Sequence, residues 1–311
     1  MLRFLAVRFG RALLTVALVV TFAFVVLRLS GDPATLILGP EVPPEAIRAF
    51  RESWGLDEPL WRQYLSYFGA IASGDLGNSM RDGRPAIELV ADRIPATLAL
   101  TVPALLLKIG IGIPAGVYAA MHRGGPIDRT VMMVAVAGFT VPSFVLGLLL
   151  VMLFSVQLGW LPSGGRDTWL HAVLPIVTMG VGGAAILARF TRSAMIEVLG
   201  QPYIRTASAK GVPWGAVIRG HALPNAAIPT VTIVGFMVGS LIAGAVVVES
   251  VFSWPGVGRL LVVAVSNRDL AVVQTILLLV AATMVTANLI VDLLYGALDP
   301  RMRRGAGQGA H

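Results

Sequence analysis

The sequence predicts an all-α polytopic membrane protein with six transmembrane helices. Of its 311 residues, 56% are hydrophobic and 13% are charged, about half the charged share of an average soluble chain. A helix that crosses a bilayer needs about 20 mostly apolar residues. Six stretches qualify, and none has the alternation of a barrel strand: approximately 9–28, 95–120, 130–157, 170–190, 224–248 and 270–294. This composition excludes a soluble enzyme and a disordered chain.

The first apolar stretch is predicted to be retained as a membrane helix within residues 1–28. Its position at the start of the chain is also typical of a signal peptide. However, Gly31, Asp32 and Pro33 follow it in place of a small-residue cleavage site. We therefore expect it to be the first of the six spans.

The segment 29–94 is predicted to form a small extracytoplasmic cap. Residues 29–93 contain ten of the seventeen acidic residues of the chain, together with six arginines. Two stretches, 43–54 and 59–72, begin at prolines and are typical of short amphipathic helices. A segment of this size is too small to bury the core of a large independent domain.

The distribution of charge predicts that both chain ends are cytoplasmic. With the N terminus inside, the inner segments carry thirteen basic and four acidic residues, whereas the short outer loops 158–169 and 249–269 carry three of each. This asymmetry is the positive-inside pattern. It accounts for most of the net charge of +7, so nucleic-acid binding is not needed to explain that charge. The remaining five spans form a core over 95–298, and 299–311 forms a cytoplasmic tail.

The segment 193–222, between the fourth and fifth spans, has the pattern of a helix presented to the cytoplasm. The sequence predicts a helical run at 193–199, a break at Gly200–Pro202, and a second helix at 203–210 that ends at Gly211. A rigid basic helix bounded in this way is suited to docking in a groove of a partner. The alternative is an ordinary connecting loop whose basic residues only fix the topology.

The chain lacks the residues with which a transporter powers itself. Neither of its two lysines, Lys108 and Lys210, lies in a phosphate-binding G-x-x-x-x-G-K-[ST] loop. The spans contain no acidic residue away from their ends that could couple transport to an ion. Cysteine is absent and histidine occurs four times, so we predict no metal site, no catalytic cluster and no bound cofactor. The protein is either a passive conduit or a subunit that another protein drives.

Three features of the spans and outer loops have both a functional and a structural interpretation. Lys108 lies near the middle of the second span, where a lone charge indicates either an attraction for a substrate carboxylate or a side chain that snorkels to water. Trp254 and Pro255 begin a turn that forms either an outer gate or an interfacial anchor. The pairs Gly112–Gly116 and Gly235–Gly239 predict close helix packing.

The segment 193–222 resembles the signature loop of binding-protein-dependent ABC importer permeases, E-A-A-x3-G-x9-I-x-L-P. Gly211 takes the glycine position and Leu223–Pro224 the Leu-Pro position, whereas Arg205–Thr206–Ala207 replace E-A-A and His221 replaces Ile. The forms Y-I-R-T-A-x-A-K-G and R-x-H-A-L-x-N-A-x-I-P are similar to the dipeptide, oligopeptide and nickel branch. Other stretches that resemble this branch are 28–34 (RLSGDPA), 74–85 (GDLGNSMRDGRP), 93–98 (RIPATL), 248–259 (VESVFSWPGVGR), 267–269 (NRD) and 298–303 (LDPRMR).

The resemblance implies the type I importer permease fold and a five-part machine in a bacterial inner membrane. The other parts are a second homologous permease, two ATPases that use ATP and Mg²⁺, and an extracytoplasmic binding protein. This chain is then not itself an enzyme. The resemblance also implies an ATPase contact through a helix that includes Tyr203, Arg205, Thr206, Ala207, Ala209, Lys210 and Gly211. The candidate contacts with the binding protein, in a loop that is alternatively a structural glycine-rich turn, are Asp75, Asn78, Ser79 and Arg81.

The substrate class that the resemblance implies is dipeptides or oligopeptides. Nickel chelates, glutathione and other small solutes are the alternatives, since related permeases differ mainly in their binding proteins. A stand-alone channel or secondary carrier is a different class, and the absence of midspan carboxylates argues against it.

Overall fold

The computed structural model describes residues 2–29, 31–39 and 42–298, so the predicted tail 299–311 lies outside the described residues. Within these ranges the regular elements are helices, and the one β-bridge joins Asn78 and Pro85. The helices are α1 (Leu2–Leu29), α2 (Pro33–Leu38), α3 (Pro44–Ser53), α4 (Leu60–Ala72), α5 (Ala86–Ala91), α6 (Ile94–Met121), α7 (Pro126–Thr140), α8 (Ser143–Leu150), α9 (Leu170–Leu199), α10 (Pro202–Ala209), α11 (Trp214–Val217), α12 (Leu223–Gly239), α13 (Val246–Val251), α14 (Val257–Ser266) and α15 (Leu270–Leu298).

Five helical segments of the described chain correspond to the second to sixth predicted spans. Four of them are long and apolar enough to cross a membrane: Ala86–Met121, Leu170–Leu199, Trp214–Gly239 and Leu270–Val291. The fifth is the pair Pro126–Thr140 and Ser143–Gln157, which is bent by 98°. The first predicted span lies in α1, whose apolar run Leu13–Val26 is shorter than the others. The count of six spans therefore stays a prediction.

The third span is broken, whereas the sequence predicted one continuous helix over 130–157. Helix α7 ends where Val141 takes an extended conformation, with φ −77° and ψ 119°. The cause is Pro142, because a proline disfavours the helical conformation in the residue before it and has no N–H to donate. Helix α8 then starts at Ser143 and continues as a π-helix over Val151–Gln157.

Helices α6 and α9 run parallel and in close contact through glycines of α6. A Cβ atom at Gly112 would lie 2.8 Å from the carbonyl oxygen of Ala184, and one at Gly116 would overlap that of Ala188. The residue numbers rise together along both helices, which therefore point the same way. If both helices cross the membrane, a return crossing must lie between them, which favours one broken span over a re-entrant loop for the bent pair α7–α8. The Gly112–Gly116 pair packs within this chain.

The fourth and fifth spans differ from their predicted bounds. Helix α9 runs unbroken to Leu199, so the predicted separate run 193–199 is its last two turns. The fifth span was expected over 224–248, but α12 ends at Gly239. The hydroxyl of Ser240 donates to the carbonyl of Met237 at 3.2 Å, a local bond that competes with helix continuation.

The chain divides into two compact units. The first comprises residues up to Thr97 together with Pro255–Ala282, and the second comprises Leu98–Trp254 together with α15 from Thr283 onward. In the first unit, α4 packs on α1: the rings of Phe24 and Tyr64 are 5.5 Å apart, edge to face. In the second, α12 packs on the end of α15, where a Cβ at Gly239 would lie 3.3 Å from that of Ala287.

Candidate functional site

Helix α10 starts and ends at backbone features that its sequence encodes. Pro202 takes the first helical position, where its missing N–H costs nothing. At the other end, the N–H of Gly211 donates to the carbonyl of Ser208 at 3.0 Å and that of Val212 donates to Ala207 at 3.3 Å, which is the Schellman pattern. Gly211 has a φ of +78°, in the left-handed region that costs other residues roughly 1–2 kcal/mol. The bounds agree with the prediction to within one residue.

One face of α10 is fixed to the ends of the neighbouring helices. Its residues Ile204 and Ala207 are 2% and 8% exposed. They belong to a buried apolar cluster whose other members come from α6, α9 and the segment 214–226: Ala120, Ala194, Met195, Val217, Ile218, Ala222 and Ala226. Because protein interiors are close-packed and transmit displacement, α10 cannot shift without moving these helix ends.

The opposite face of α10 is exposed and basic. Six of the seven residues predicted to contact an ATPase are exposed, with Ala207 as the exception: Tyr203, Arg205, Thr206, Ala209, Lys210 and Gly211. The helix itself contains no acidic residue. This surface suits a partner groove that is acidic or rich in carbonyl oxygens.

The segment 74–85, predicted to lie outside, folds as a small hairpin. Asn78 and Pro85 form its β-bridge. The N–H of Ser79 donates to the carbonyl of Arg84 at 2.9 Å, and that of Gly83 donates back to Ser79 at 2.9 Å. The tip at residues 80–83 is therefore presented by a backbone that holds its own shape.

Three of the four candidate contacts in this hairpin are exposed: Asp75, Asn78 and Arg81. The fourth, Ser79, is 1% exposed, so it cannot touch a binding protein directly. Its hydroxyl donates to the side chain of Asp269 and accepts the N–H groups of Arg81 and Asp82 at 3.2 and 3.1 Å. Ser79 therefore organises the hairpin from within.

Lys108 lies about 20 Å from either end of α6 at 1.5 Å of rise per residue. A four-carbon stem cannot span that distance to the headgroups, which argues against snorkelling to an interface. The side chain is half-buried, and its stem crosses α9 at Gly183, where a Cβ would lie 2.5 Å from the Cδ of Lys108. Gly183 thus leaves the room that the lysine stem occupies.

Trp254 is buried, with 3% of its surface exposed. Its backbone N–H donates to the carbonyl of Glu249 at 2.8 Å, and the guanidinium of Arg166 lies 5.7 Å from the ring centroid. An interfacial anchor would expose its ring to headgroups, so this burial argues against that interpretation. The role of Trp254 and the half-buried Pro255 as a gate stays a prediction.

A bidentate ion pair near the C-terminal end of α9 was not predicted. Asp128, 3% exposed, accepts from Arg192, with 2.6 Å between Nη2 and Oδ2. It also accepts the N–H of Gly124 at 2.9 Å. In the sequence Asp128 was counted only as one acid among inner-loop charges, and the 64-residue separation from Arg192 gave no signal of pairing.

These features define a class: a polytopic helical membrane protein with a rigid helix whose exposed face is basic. Two family comparisons make the class specific. Residues 112–304 match the family described as binding-protein-dependent transport system inner membrane component, and residues 1–101 match the family of its N-terminal region. The chain belongs to this family, and it is a permease subunit of a binding-protein-dependent ABC importer of the inner membrane.

Curated relatives cover nearly the whole chain. The glutathione transport system permease protein GsiC of Escherichia coli O6:H1 is 46% identical over 285 residues, which are 92% of this chain and 93% of the relative. The protein of the same name from Escherichia coli strain K12 is 45% identical over the same length and shares.

Solved structures of other importers share the fold. A chain of the MetNI methionine ABC transporter in an inward-facing conformation superposes with a TM-score of 0.60 at 22% identity, covering 69% of this chain and 98% of that one. A chain of an amino acid ABC transporter gives 0.53 at 18% identity, covering 67% and 93%. At these identities the likeness concerns the fold alone, and it agrees with the predicted importer permease fold.

Proposed function

We propose that this permease imports short peptides that an extracytoplasmic binding protein delivers, and that glutathione is the first candidate substrate. The support is the 46% identity to a permease named for glutathione transport. Glutathione is a tripeptide, and the sequence analysis named it among the alternatives to dipeptides and oligopeptides. Dipeptides, longer peptides and nickel chelates are the competing cargoes that the experiment below separates.

The observation that carries the mechanism is the two-faced packing of α10. Its basic face is open to a partner, while Ile204 and Ala207 lock its other face to the inner ends of α6, α9 and the fifth span. Two partner ATPases, closing on ATP and Mg²⁺, would grip the exposed face. The helix would then act as a lever that switches the spans between outward- and inward-open arrangements.

The proposed assembly has two further partners. A second, homologous permease completes the pathway as a heterodimer. A binding protein docks outside, where the hairpin 74–85 presents Asp75, Asn78 and Arg81 toward its cleft. Cargo and ATP drive transport only if each favours one of the two states over the other.

Reconstitution tests the proposal. The chain would be co-purified with the second permease, the ATPases and the binding protein of its transport system and placed in liposomes containing ATP and Mg²⁺. We expect concentrative uptake of radiolabelled glutathione that excess unlabelled glutathione abolishes. Preferential uptake of dialanine or of a nickel chelate would assign that compound, and not glutathione, as the substrate. Accumulation of cargo by this chain without ATPases would overturn the mechanism.

A further inference from the structure

Asp269 is a buried carboxylate between the outer hairpin and the start of α15. It is 4% exposed and accepts the hydroxyl of Ser79. The backbone N–H of Met80 also bonds to it, and that of Val272 lies 3.5 Å away. The N–H of Val273 donates to its carbonyl at 3.0 Å. One residue thus serves as the N-cap of the last span and as the attachment point of a hairpin 190 residues away in sequence.

The same turn receives two other outer segments. Arg268 has a φ of +55°, which is uncommon for a residue with a side chain. A Cβ at Gly31 would overlap its guanidinium, so the glycine makes room for that group. A Cβ at Gly77 would lie 3.4 Å from that of Ala271. Strained backbone of this kind persists only where its surroundings fix it, and it clusters at clamps and switches.

The electrostatics of Asp269 agree with its burial between the two segments. Burial raises the pKa of Asp269, with the nearby carboxylate of Asp82 acting in the same direction and the bonds from Ser79, Val272 and Met80 opposing it. A helix can be capped by an aspartate that stays in water, without any such desolvation. Because the carboxylate of Asp269 is buried, the stability of this helix cap depends on the hairpin that supplies the hydrogen bonds.

We infer that the turn Asn267–Asp269 is a mechanical coupling point, through which Ser79 and Asp269 make the outer hairpin and the outer end of α15 move together. The inference rests on the proposed import function and adds positioning residues to it. A binding protein that presses on the exposed tip then acts on a membrane span. Ser79 and Asp269 do this without touching binding protein or cargo.

Substitutions that open the link test this transmission in the assembled complex. We expect Ser79→Ala and Asp269→Asn to reduce the stimulation of ATPase activity by loaded binding protein by about fivefold or more, the lower range of allosteric coupling. Basal ATPase activity and the affinity of the binding protein should stay within about twofold, since these report assembly and contact. Ser73→Ala is the matched control, because Ser73 is exposed and its hydroxyl bonds only to Ala70 of its own helix.

A reversible covalent link supplies a second test in one and the same protein. The chain has no cysteine, so Ser79→Cys combined with Asp269→Cys introduces a unique thiol pair. The reduced pair should lack stimulation. Oxidation, or bridging by a short bis-methanethiosulfonate, should restore it, with bridging verified by lost maleimide labelling.

Each outcome decides between distinct conclusions. Full stimulation in Ser79→Ala, or no recovery when the thiols are bridged, overturns the coupling point. Loss of binding-protein affinity with unchanged maximal stimulation would show a contact surface and also overturn it. If the wild-type complex itself shows neither stimulation nor cargo uptake, the proposed function fails instead.

Discussion

Asp128 and Arg192 join the start of α7 to α9 through two parallel hydrogen bonds, with Nη2 and Oδ2 2.6 Å apart. The arginine lies two turns before the end of α9, which α10 follows after a short break. The pair therefore connects the broken third span to the helix that leads into α10. Bidentate pairs of this kind add geometric specificity as well as energy.

We predict that Arg192→Leu destabilises the protein by about 1–3 kcal/mol, because the Asp128 carboxylate loses its charged partner and keeps only the N–H of Gly124. The double variant Asp128→Asn with Arg192→Leu should cost clearly less, since the uncompensated charge is gone. Thermal unfolding of the purified complex in detergent measures both.

Arg189→Leu is the control for this prediction. Arg189 is exposed and its guanidinium lies 5.3 Å from the ring centroid of Phe139, a contact worth about 0.5–1 kcal/mol. If Arg192→Leu lowers stability no more than Arg189→Leu does, the ion pair does not stabilise the contact between α7 and α9.

We predict that Gly211→Val lowers binding-protein-stimulated ATPase activity and uptake without preventing membrane insertion. A Cβ at Gly211 meets no atom within 4 Å, so the cost is the left-handed backbone, roughly 1–2 kcal/mol. That strain falls on the turn that ends α10, next to its exposed face.

Gly220 provides the matched position for this test. A Cβ there also meets nothing within 4 Å, but its φ is not in the left-handed region. Gly220→Ala should therefore be tolerated, while Gly211→Ala should already reduce coupling. Normal transport by Gly211→Val would remove α10 from the ATPase interface.

We predict that Gly116→Ala destabilises the protein by about 1–3 kcal/mol, the usual cost of overpacking. The new methyl would overlap the Ala188 carbonyl and lie 2.8 Å from the Cβ of Thr191, so the α6 and α9 backbones must separate. Gly110→Ala in the same helix meets nothing within 4 Å and should leave the unfolding temperature unchanged or raise it. Equal temperatures for the two variants would contradict the close α6–α9 contact.

Locally encoded elements could be predicted from the sequence, and α10 shows why. Pro202 and Gly211 fix its ends through bonds within a few residues. Proline inside a span is harder to interpret, because Pro103 and Pro114 lie within α6 without ending it, whereas Pro142 separates α7 from α8. Whether a proline ends a helix depends on whether neighbouring groups compensate the hydrogen bond that it removes. A single sequence does not contain that information.

Non-local polar pairs were out of reach for the same reason. Ser79 and Asp269 each lie in a stretch that resembles the family, but nothing in the two stretches relates one to the other across 190 residues. Ser79 was consequently expected to contact the binding protein, and the structure buries it. Exposure depends on the packing of distant segments, which local patterns do not specify.

We predict that acidification stabilises the outer turn through Asp269. Its pKa is raised by burial, so the folded protein binds this proton more tightly than the unfolded chain. Stability from this group therefore increases as pH falls from neutral toward the ordinary aspartate value of about 3.9, and it decreases as pH rises through the raised pKa.

The difference in unfolding temperature between wild type and Asp269→Asn isolates that contribution, because other titrating groups cancel in the comparison. The difference should shift in favour of wild type as pH falls from 7.5 toward the ordinary aspartate value of about 3.9. A difference that does not change with pH would show that Asp269 titrates as it does in water.

We predict that Lys108→Met lowers uptake of cargo that carries a carboxylate by about tenfold or more. A hydrogen bond to a charged group contributes about 1.5–3 kcal/mol, and 1.4 kcal/mol corresponds to a factor of ten. Methionine keeps the length of the stem that lies across Gly183 but removes the charge, and Lys108→Arg should retain transport. Leu106→Met, at an exposed position of the same helix, controls for a new methionine in the span.

Uptake of glutathione and of its diamide should be compared in wild type and Lys108→Met. The substitution should lower uptake of the acid far more than uptake of the amide, since only the acid can pair with the ammonium. If wild type and Lys108→Met take up each compound equally well, Lys108 lies outside the pathway. Its charge would then be stabilised by local hydration.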